Sequence, residues 1–193
     1  YNENVNTENN VENDPILSAY RLQPIFPVYD IGGNYAGQKG ASLGHGPNPV
    51  AQLERNKDNA AENWRIFGNA FLEIDFIKDL TFRSHLGLDY STWYQSAFIG
   101  LNPEDPEPRA SNELTVQSDY QLITTWYNTL NYNRIFGRRH ALNVLLGTEL
   151  IESRYRYLSG SGSNFFVEDL SYRFLSASSG EQQSSGRGSE WNM

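Results

Sequence analysis

Strict alternation sustained over long stretches is the feature that most constrains this chain. Between residues 63 and 77 the even positions are apolar or small: Trp64, Ile66, Gly68, Ala70, Leu72, Ile74 and Phe76. The odd positions between them are mostly polar or charged, among them Arg65, Asn69, Glu73 and Asp75, with Phe67 and Phe71 as exceptions. After Lys78-Asp79 the pattern resumes in the same parity with Leu80, Phe82, Leu86, Leu88 and Tyr90. A period of two marks a β-strand with one apolar and one polar face.

Two more runs repeat it. Over 114–134, Leu114, Val116, Tyr120, Leu122, Trp126, Leu130 and Tyr132 share one face, opposite Gln117, Asp119, Gln121, Thr125, Thr129, Asn131 and Asn133. Over 140–157, Leu142, Val144, Leu146 and Leu150 oppose Asn143, Gly147 and Glu149. The spacing predicts hairpins over 63–95 and 114–157, turning at Lys78-Asp79 and at "IFGRR" (135–139). These runs span about 15–20 positions each, against about 5–6 for a strand in a globular protein.

The segments between the runs are unequal. Residues 1–14 are rich in Asn and Glu without periodicity and read as a loop or disordered end. "PILSAYRLQ" (15–23) predicts a short helix, with Asp14 as N-cap and Pro15 at the first helical position. Residues 24–50, dense in Pro and Gly, read as a structured loop, as do "NPEDPEPR" (102–109) and the Gly/Ser-rich stretch 159–190. The organisation is a long loop (1–62), a tight turn, a long loop (96–113), a tight turn, and a long loop (159–190).

Outer-membrane barrels show this alternation of short periplasmic turns with long extracellular loops. A strand of about 15 residues reaches about 50 Å, more than the roughly 25 Å apolar band of such a barrel requires even when tilted. Trp64, Phe76, Phe82, Tyr90, Tyr94 and Tyr132 lie towards the ends of the apolar faces, where amphipathic rings suit a membrane interface. The fold class expected is therefore all-β, with four long antiparallel strands forming part of a transmembrane barrel. A soluble antiparallel sheet with one wet face is the alternative. The mean hydropathy of −0.60 does not separate the two, because alternation averages out.

Composition removes other classes. A formal charge of −8 with no Lys/Arg run argues against a nucleic-acid partner. Absence of cysteine excludes disulfides, thiolate metal sites and Cys nucleophiles. His45, His85 and His140 lack metal-site spacing, and the glycines at 32, 33, 37 and 40 do not form a phosphate loop. Glu104, Asp105 and Glu107 fit no EF-hand spacing, and the prolines around them read as a stiff loop. Ser159, Ser161 and Ser163 have no catalytic partner motif and read as flexible loop. No catalytic constellation, metal site or cofactor site emerges, and an enzyme is not expected.

Particular words in the sequence resemble a known family. "NPVAQLERNKDN" (48–59), "FGNAFLEIDFIKDLTFRS", "TWYNTLNYNRIFG", "HALNVLLGTELIESRYRYLSGSGSNFF" and "LQPIFPVYDIGGNYAG" resemble segments of the SusC/RagA family of TonB-linked outer-membrane transporters, over about residues 15–180. The resemblance implies a barrel of about twenty-two strands around an N-terminal plug. It also implies a SusD-like surface lipoprotein as lid, import of oligosaccharides or oligopeptides, contact with outer-membrane lipid, and energy from the TonB complex. A TonB box and a plug are not found in these residues, so the chain is expected to be an internal fragment of the barrel.

Within that frame two sets of residues are candidates. Arg65, Glu73, Asp75, Arg83, His85 and Asp89 occupy the polar face and are expected to face the lumen; a solvated wall is their simpler role. Tyr155, Tyr157, Phe165, Phe166, Tyr172 and Phe174 are expected to meet substrate or the lid by stacking, or else to pack loop against loop. Two other functions stay open: a structural or adhesive barrel without transport, and a soluble carbohydrate-binding β-domain.

Overall fold

A computed structural model describes residues 2–5, 15–39, 44 and 46–193. Six strands form one sheet in the order β1-β2-β3-β4-β5-β6. They are β1 (Asn2–Val5), β2 (Ala60–Ile77), β3 (Leu80–Ile99), β4 (Glu113–Phe136), β5 (His140–Ser163) and β6 (Gln182–Asn192). Two helices, α1 (Pro15–Arg21) and α2 (Pro49–Asn56), precede β2. No helix among the described residues is long and apolar enough to cross a membrane, which has no bearing on crossing by strands.

The four expected strands are present and longer than expected. β4 and β5 have 24 residues each, or about 80 Å of extended chain. Both turns form where expected. The second occupies Gly137–Arg139, with left-handed backbone at Gly137 (φ 58°) and Arg138 (φ 59°) and the Arg139 N–H donating to the Phe136 carbonyl at 3.2 Å. Glycine adopts that region without a Cβ penalty.

Cross-strand contacts confirm the parity. Odd residues meet odd: Arg65 with Asp89, Arg83 with Glu73, and the Thr81 hydroxyl with Asp75 at 2.6 Å. Even residues meet even: Phe76 with Phe82, Tyr90 with Tyr120, and the Trp126 indole N–H with Ser84 at 3.0 Å. Seven of the nine residues that line one shallow apolar depression are even (Ile66, Gly68, Ala70, Leu86, Leu88, Tyr90 and Leu122), the others being Phe67 and Asn69 between them. The even face is thus the apolar one on three successive strands.

The chain divides into two compact units. One comprises 1–62, 93–118 and 158–185, and it holds the helices and the long connections. Its core is Phe98, Leu114 and Phe165, with Val116, Leu175 and Ala177 packed on it. The other comprises 63–92, 119–157 and 186–193, the two tight turns with the strand portions that flank them and the end of β6. Among the described residues every buried apolar side chain (Ala51, Phe98, Leu114 and Phe165) lies in the first unit. The second leaves Ile66, Leu72, Leu86, Trp126 and Leu146 each 45–68% exposed on the even face. A soluble sheet buries its apolar face under a second layer; a barrel wall turns that face outward.

Two expectations need correction. The stretch 159–190 is not all loop: β5 continues to Ser163, taking in Ser159, Ser161 and Ser163, and Gln182–Asn192 is strand β6. Neither segment alternates in hydropathy, and backbone pairing holds them, as between Ile151 and Met193, which exchange both N–H···O bonds at 3.1 and 3.0 Å. The segment 1–62 is likewise not a plain loop, since it carries β1, α1 and α2. Helix α1 forms as expected, while Asp14 and His45 lie outside the described residues. Helix α2 was not anticipated, although its signal is in the sequence: Asn48 accepts from the Val50 and Ala51 N–H groups, with Pro49 at the first position.

Candidate functional site

A cleft of the first unit grows out of five residues, Asp30-Ile31-Gly32-Gly33-Asn34. The Asp30 N–H donates to the Asn34 carbonyl (2.8 Å) and Gly33 N–H to the Asp30 carbonyl (3.1 Å). Asp30 Oδ1 accepts from the Asn34 backbone N–H at 2.8 Å. Gly33 sits at φ +82°, which a side chain would strain. At the neck of this turn Tyr29 and Tyr35 stack, with centroids 5.5 Å apart.

Asn48 fixes the turn from below. Its amide Nδ2 donates to the carbonyls of Val28 and Ala36 at 2.8 and 2.9 Å, while its Oδ1 caps α2. One buried side chain thus ties both legs of the turn to the start of a helix. Helix α2 in turn places Arg55 over the Tyr35 ring, 5.5 Å from its centroid. The Arg55 guanidinium forks onto Glu104, with Nη1 and Nη2 at 2.5 and 2.7 Å from the two carboxylate oxygens. Burial works against the charge on each partner, but the paired hydrogen bonds outweigh it. Glu104 is held below the usual carboxylate range and Arg55 above its ordinary value. Burial pushes the neighbouring Asp105 carboxyl up instead, despite the Asn102 amide bonded to it.

Tyr29, Asp30, Gly33, Asn34, Tyr35, Arg55, Pro103 and Glu104 line a cleft of about 580 Å³, within the usual size range of small-ligand sites. Sequence reasoning placed 29–35 and Arg55 in family-like words and read 102–109 as a stiff loop, without bringing them together. The Asp-x-Gly-Gly-Asn turn was visible, but its partners lie far along the chain.

The rest of the first unit is held by two asparagines acting as surrogate backbone. Asn59 Oδ1 accepts from the Phe98 N–H at 2.7 Å, and its Nδ2 donates to the Phe98 carbonyl at 3.0 Å. Asn112 does the same to Phe165, at 2.6 and 3.0 Å, and also donates to Glu168 at 2.9 Å. Both are almost wholly buried.

The aromatic candidates separate. Phe165 is core, 6% exposed and edge-on to Phe98 at 5.6 Å. Phe166 is fully exposed, and Tyr172 and Phe174 are about half exposed. Tyr155 and Tyr157, on β5, are partly buried and belong to the other unit. No ring contact among the described residues gathers these six into one cluster.

In the second unit the polar-face candidates Arg65, Glu73, Asp75, Arg83, His85 and Asp89 all lie on the odd face. Arg65 pairs with Asp89, Arg83 lies 3.9 Å from Glu73 and over the Phe71 ring, and Asp75 accepts from Thr81. His85 stacks on Tyr127 at 4.5 Å, a partner the sequence did not suggest.

No family model and no curated protein matches the chain. Solved structures do, among them the RagAB peptide transporter, at TM-score 0.69 and 20% identity, and the RagAB peptide importer in the "closed-closed" state, at TM-score 0.69 and 21% identity. Each match covers 86% of this chain and 18% of the other. The fold is that of a segment of a β-barrel wall. The chain spans less than a fifth of the chains it matches. Its apolar even face, polar odd face and long structured connections all accord with that architecture.

Proposed function

We propose that the chain is part of a SusC/RagA-type, TonB-linked transporter of the outer membrane, and that it performs no covalent chemistry on its cargo. The observation that carries the reading is the two-faced sheet. The exposed apolar even face suits lipid and the charged odd face suits a water-filled lumen. The fold match over 86% of the chain supports it. On this reading the turns at Lys78-Asp79 and Gly137–Arg139 face the periplasm and the long connections face outside. Lid contacts to a SusD-like lipoprotein would fall on exposed rings such as Phe166, Tyr172 and Phe174. The two solved structures named above are described as peptide systems, which favours oligopeptide over oligosaccharide cargo.

Membrane fractionation and uptake of labelled peptides and oligosaccharides, with and without the gene and with and without TonB, test the reading. Outer-membrane location with TonB-dependent peptide uptake is expected. Membrane location with unchanged uptake of every cargo would leave a structural or adhesive barrel. Recovery as a detergent-free soluble monomer would restore the soluble β-domain.

A further inference from the structure

Five arginines are handled in one way. Arg55 lies over Tyr35, Arg65 over Phe67, Arg83 over Phe71, Arg134 over Phe136 and Arg173 over Phe98. Each of these arginines also reaches a carboxylate: Glu104, Asp89, Glu73, Asp79 and Asp58 respectively, at 2.5–3.9 Å. A guanidinium is planar and weakly hydrated, so its face rests on a ring while its edge donates to a carboxylate.

The cleft of the first unit holds a second tyrosine and a second carboxylate. Arg55, Tyr35 and Glu104 form one complete set within it. Beside them, Tyr29 and Asp30 line the same cleft, with Tyr29 53% exposed and stacked on Tyr35. Asp30 is exposed, and the hydrogen bonds it accepts come from Asn34, at 2.8 and 3.4 Å. No cationic side chain among the described residues pairs with it. We propose that Tyr29 and Asp30 form a subsite for the guanidinium of an external arginine side chain, carried by a peptide. The cleft's lining charges, Asp30 and Glu104 against Arg55, sum to one negative, which favours a cation over an anion or a neutral ring. The subsite is preorganised, because Asn48 grips both legs of the turn and the Asp30–Asn34 bonds set its tip.

The choice of a peptide as carrier rests on the transport reading; the guanidinium chemistry does not. The test uses the complete protein in detergent, wild type and Asp30→Asn, with ligand-observed NMR. The probes are acetyl-Gly-Arg-Gly-amide and its citrulline counterpart, which keeps the shape and loses the charge. Asp30→Asn keeps the Oδ1 acceptor for the Asn34 N–H, so the turn should persist, and circular dichroism checks that it does. Binding of the arginine peptide is expected at a dissociation constant on the order of 1 mM. It should weaken about fivefold with citrulline, with Asp30→Asn, and with Tyr29→Leu, as for loss of one exposed cation contact. Equal binding of the citrulline peptide, or binding indifferent to Asp30→Asn, overturns the proposal. The wild-type comparison of the two peptides decides even if a variant fails to fold. Binding without peptide uptake would sink only the transport reading, and peptide uptake without citrulline discrimination would sink only this subsite.

Discussion

Arg55 and Glu104, forty-nine positions apart, meet in a two-pronged ion pair that fastens helix α2 to the 102–109 loop. The Glu104 side chain is only 5% exposed and that of Arg55 21%. Removing one charge strands the other in a partly dry site, which costs more than the intact pair contributes. Glu104→Gln is expected to destabilise the first unit by about 1–3 kcal/mol, read by thermal melting in detergent. An unchanged melt would mean that the fork is surface decoration.

The same pair sets a pH dependence. Glu104 has a folded value below its unfolded one, so its stabilisation is fully present above about pH 4.3 and is lost as pH falls through the depressed value. Asp105 has a raised folded value, so it costs stability at neutral pH and that cost disappears as the carboxyl protonates. The difference in melting temperature between wild type and Glu104→Gln should therefore be widest near neutrality and close below about pH 4. A difference that stayed constant down to pH 3 would contradict the assignment.

Glycine at 37 lets the Tyr29–Tyr35 turn approach the same loop. A Cβ there would fall 1.8 Å from the Glu104 carbonyl oxygen, a backbone atom that no rotamer change can move. Gly37→Ala is expected to cost about 1–3 kcal/mol as overpacking and to open the 102–109 loop to limited proteolysis. Gly68→Ala is the control, since nothing lies within 4 Å of its added methyl. Equal sensitivity of the two variants would rule the explanation out.

Asn112 should be hard to replace. Its loss leaves the Phe165 N–H and carbonyl without their partner in a buried setting. Asn112→Ala is expected to cost about 2–3 kcal/mol, and Asn112→Asp to fare little better because the amide donors vanish. Wild-type melting of Asn112→Ala would show that water substitutes freely.

Neighbouring residues on opposite faces test the membrane reading. Leu122 lies on the even face with Leu86 and Leu88, while Gln121 is exposed on the odd face. Leu122→Lys should cost about 2–4 kcal/mol of membrane stability if placed near the bilayer midplane, whereas Gln121→Lys should assemble normally. The yield of heat-modifiable barrel in outer-membrane fractions measures both. Equal yields would argue against lipid on the even face.

The strands were legible because alternation is a local signal. Leu72 and Glu73 announce their faces without any knowledge of what lies beside them. Strand β6 was hidden because Gln182–Asn192 is small and polar, and its existence depends on β5 offering a free edge. The aromatic set failed as a unit for a similar reason. Phe165 and Phe166 are equally apolar neighbours, yet Asn112, fifty-three positions away, seats one beside Phe98 and leaves the other in solvent. The cleft was illegible in the same way: its turn is local, but Arg55 and Pro103-Glu104 arrive from distant segments.

The three-residue turn at Gly137–Arg139 returns the chain with its parity intact, so Phe136 and His140 begin one shared pattern. Inserting one residue within β5 would swing Leu142, Val144 and Leu146 to the charged side and Asn143 and Glu149 to the greasy side. Descent of such a chain is therefore constrained at the codon level. Among its cousins, length variation inside the strands should accumulate in pairs of codons, while the connection from Asn164 to Glu181 answers to its Phe165, Leu175 and Ala177 contacts and not to parity. The strand parity acts as a reading frame of its own, laid over the genetic one.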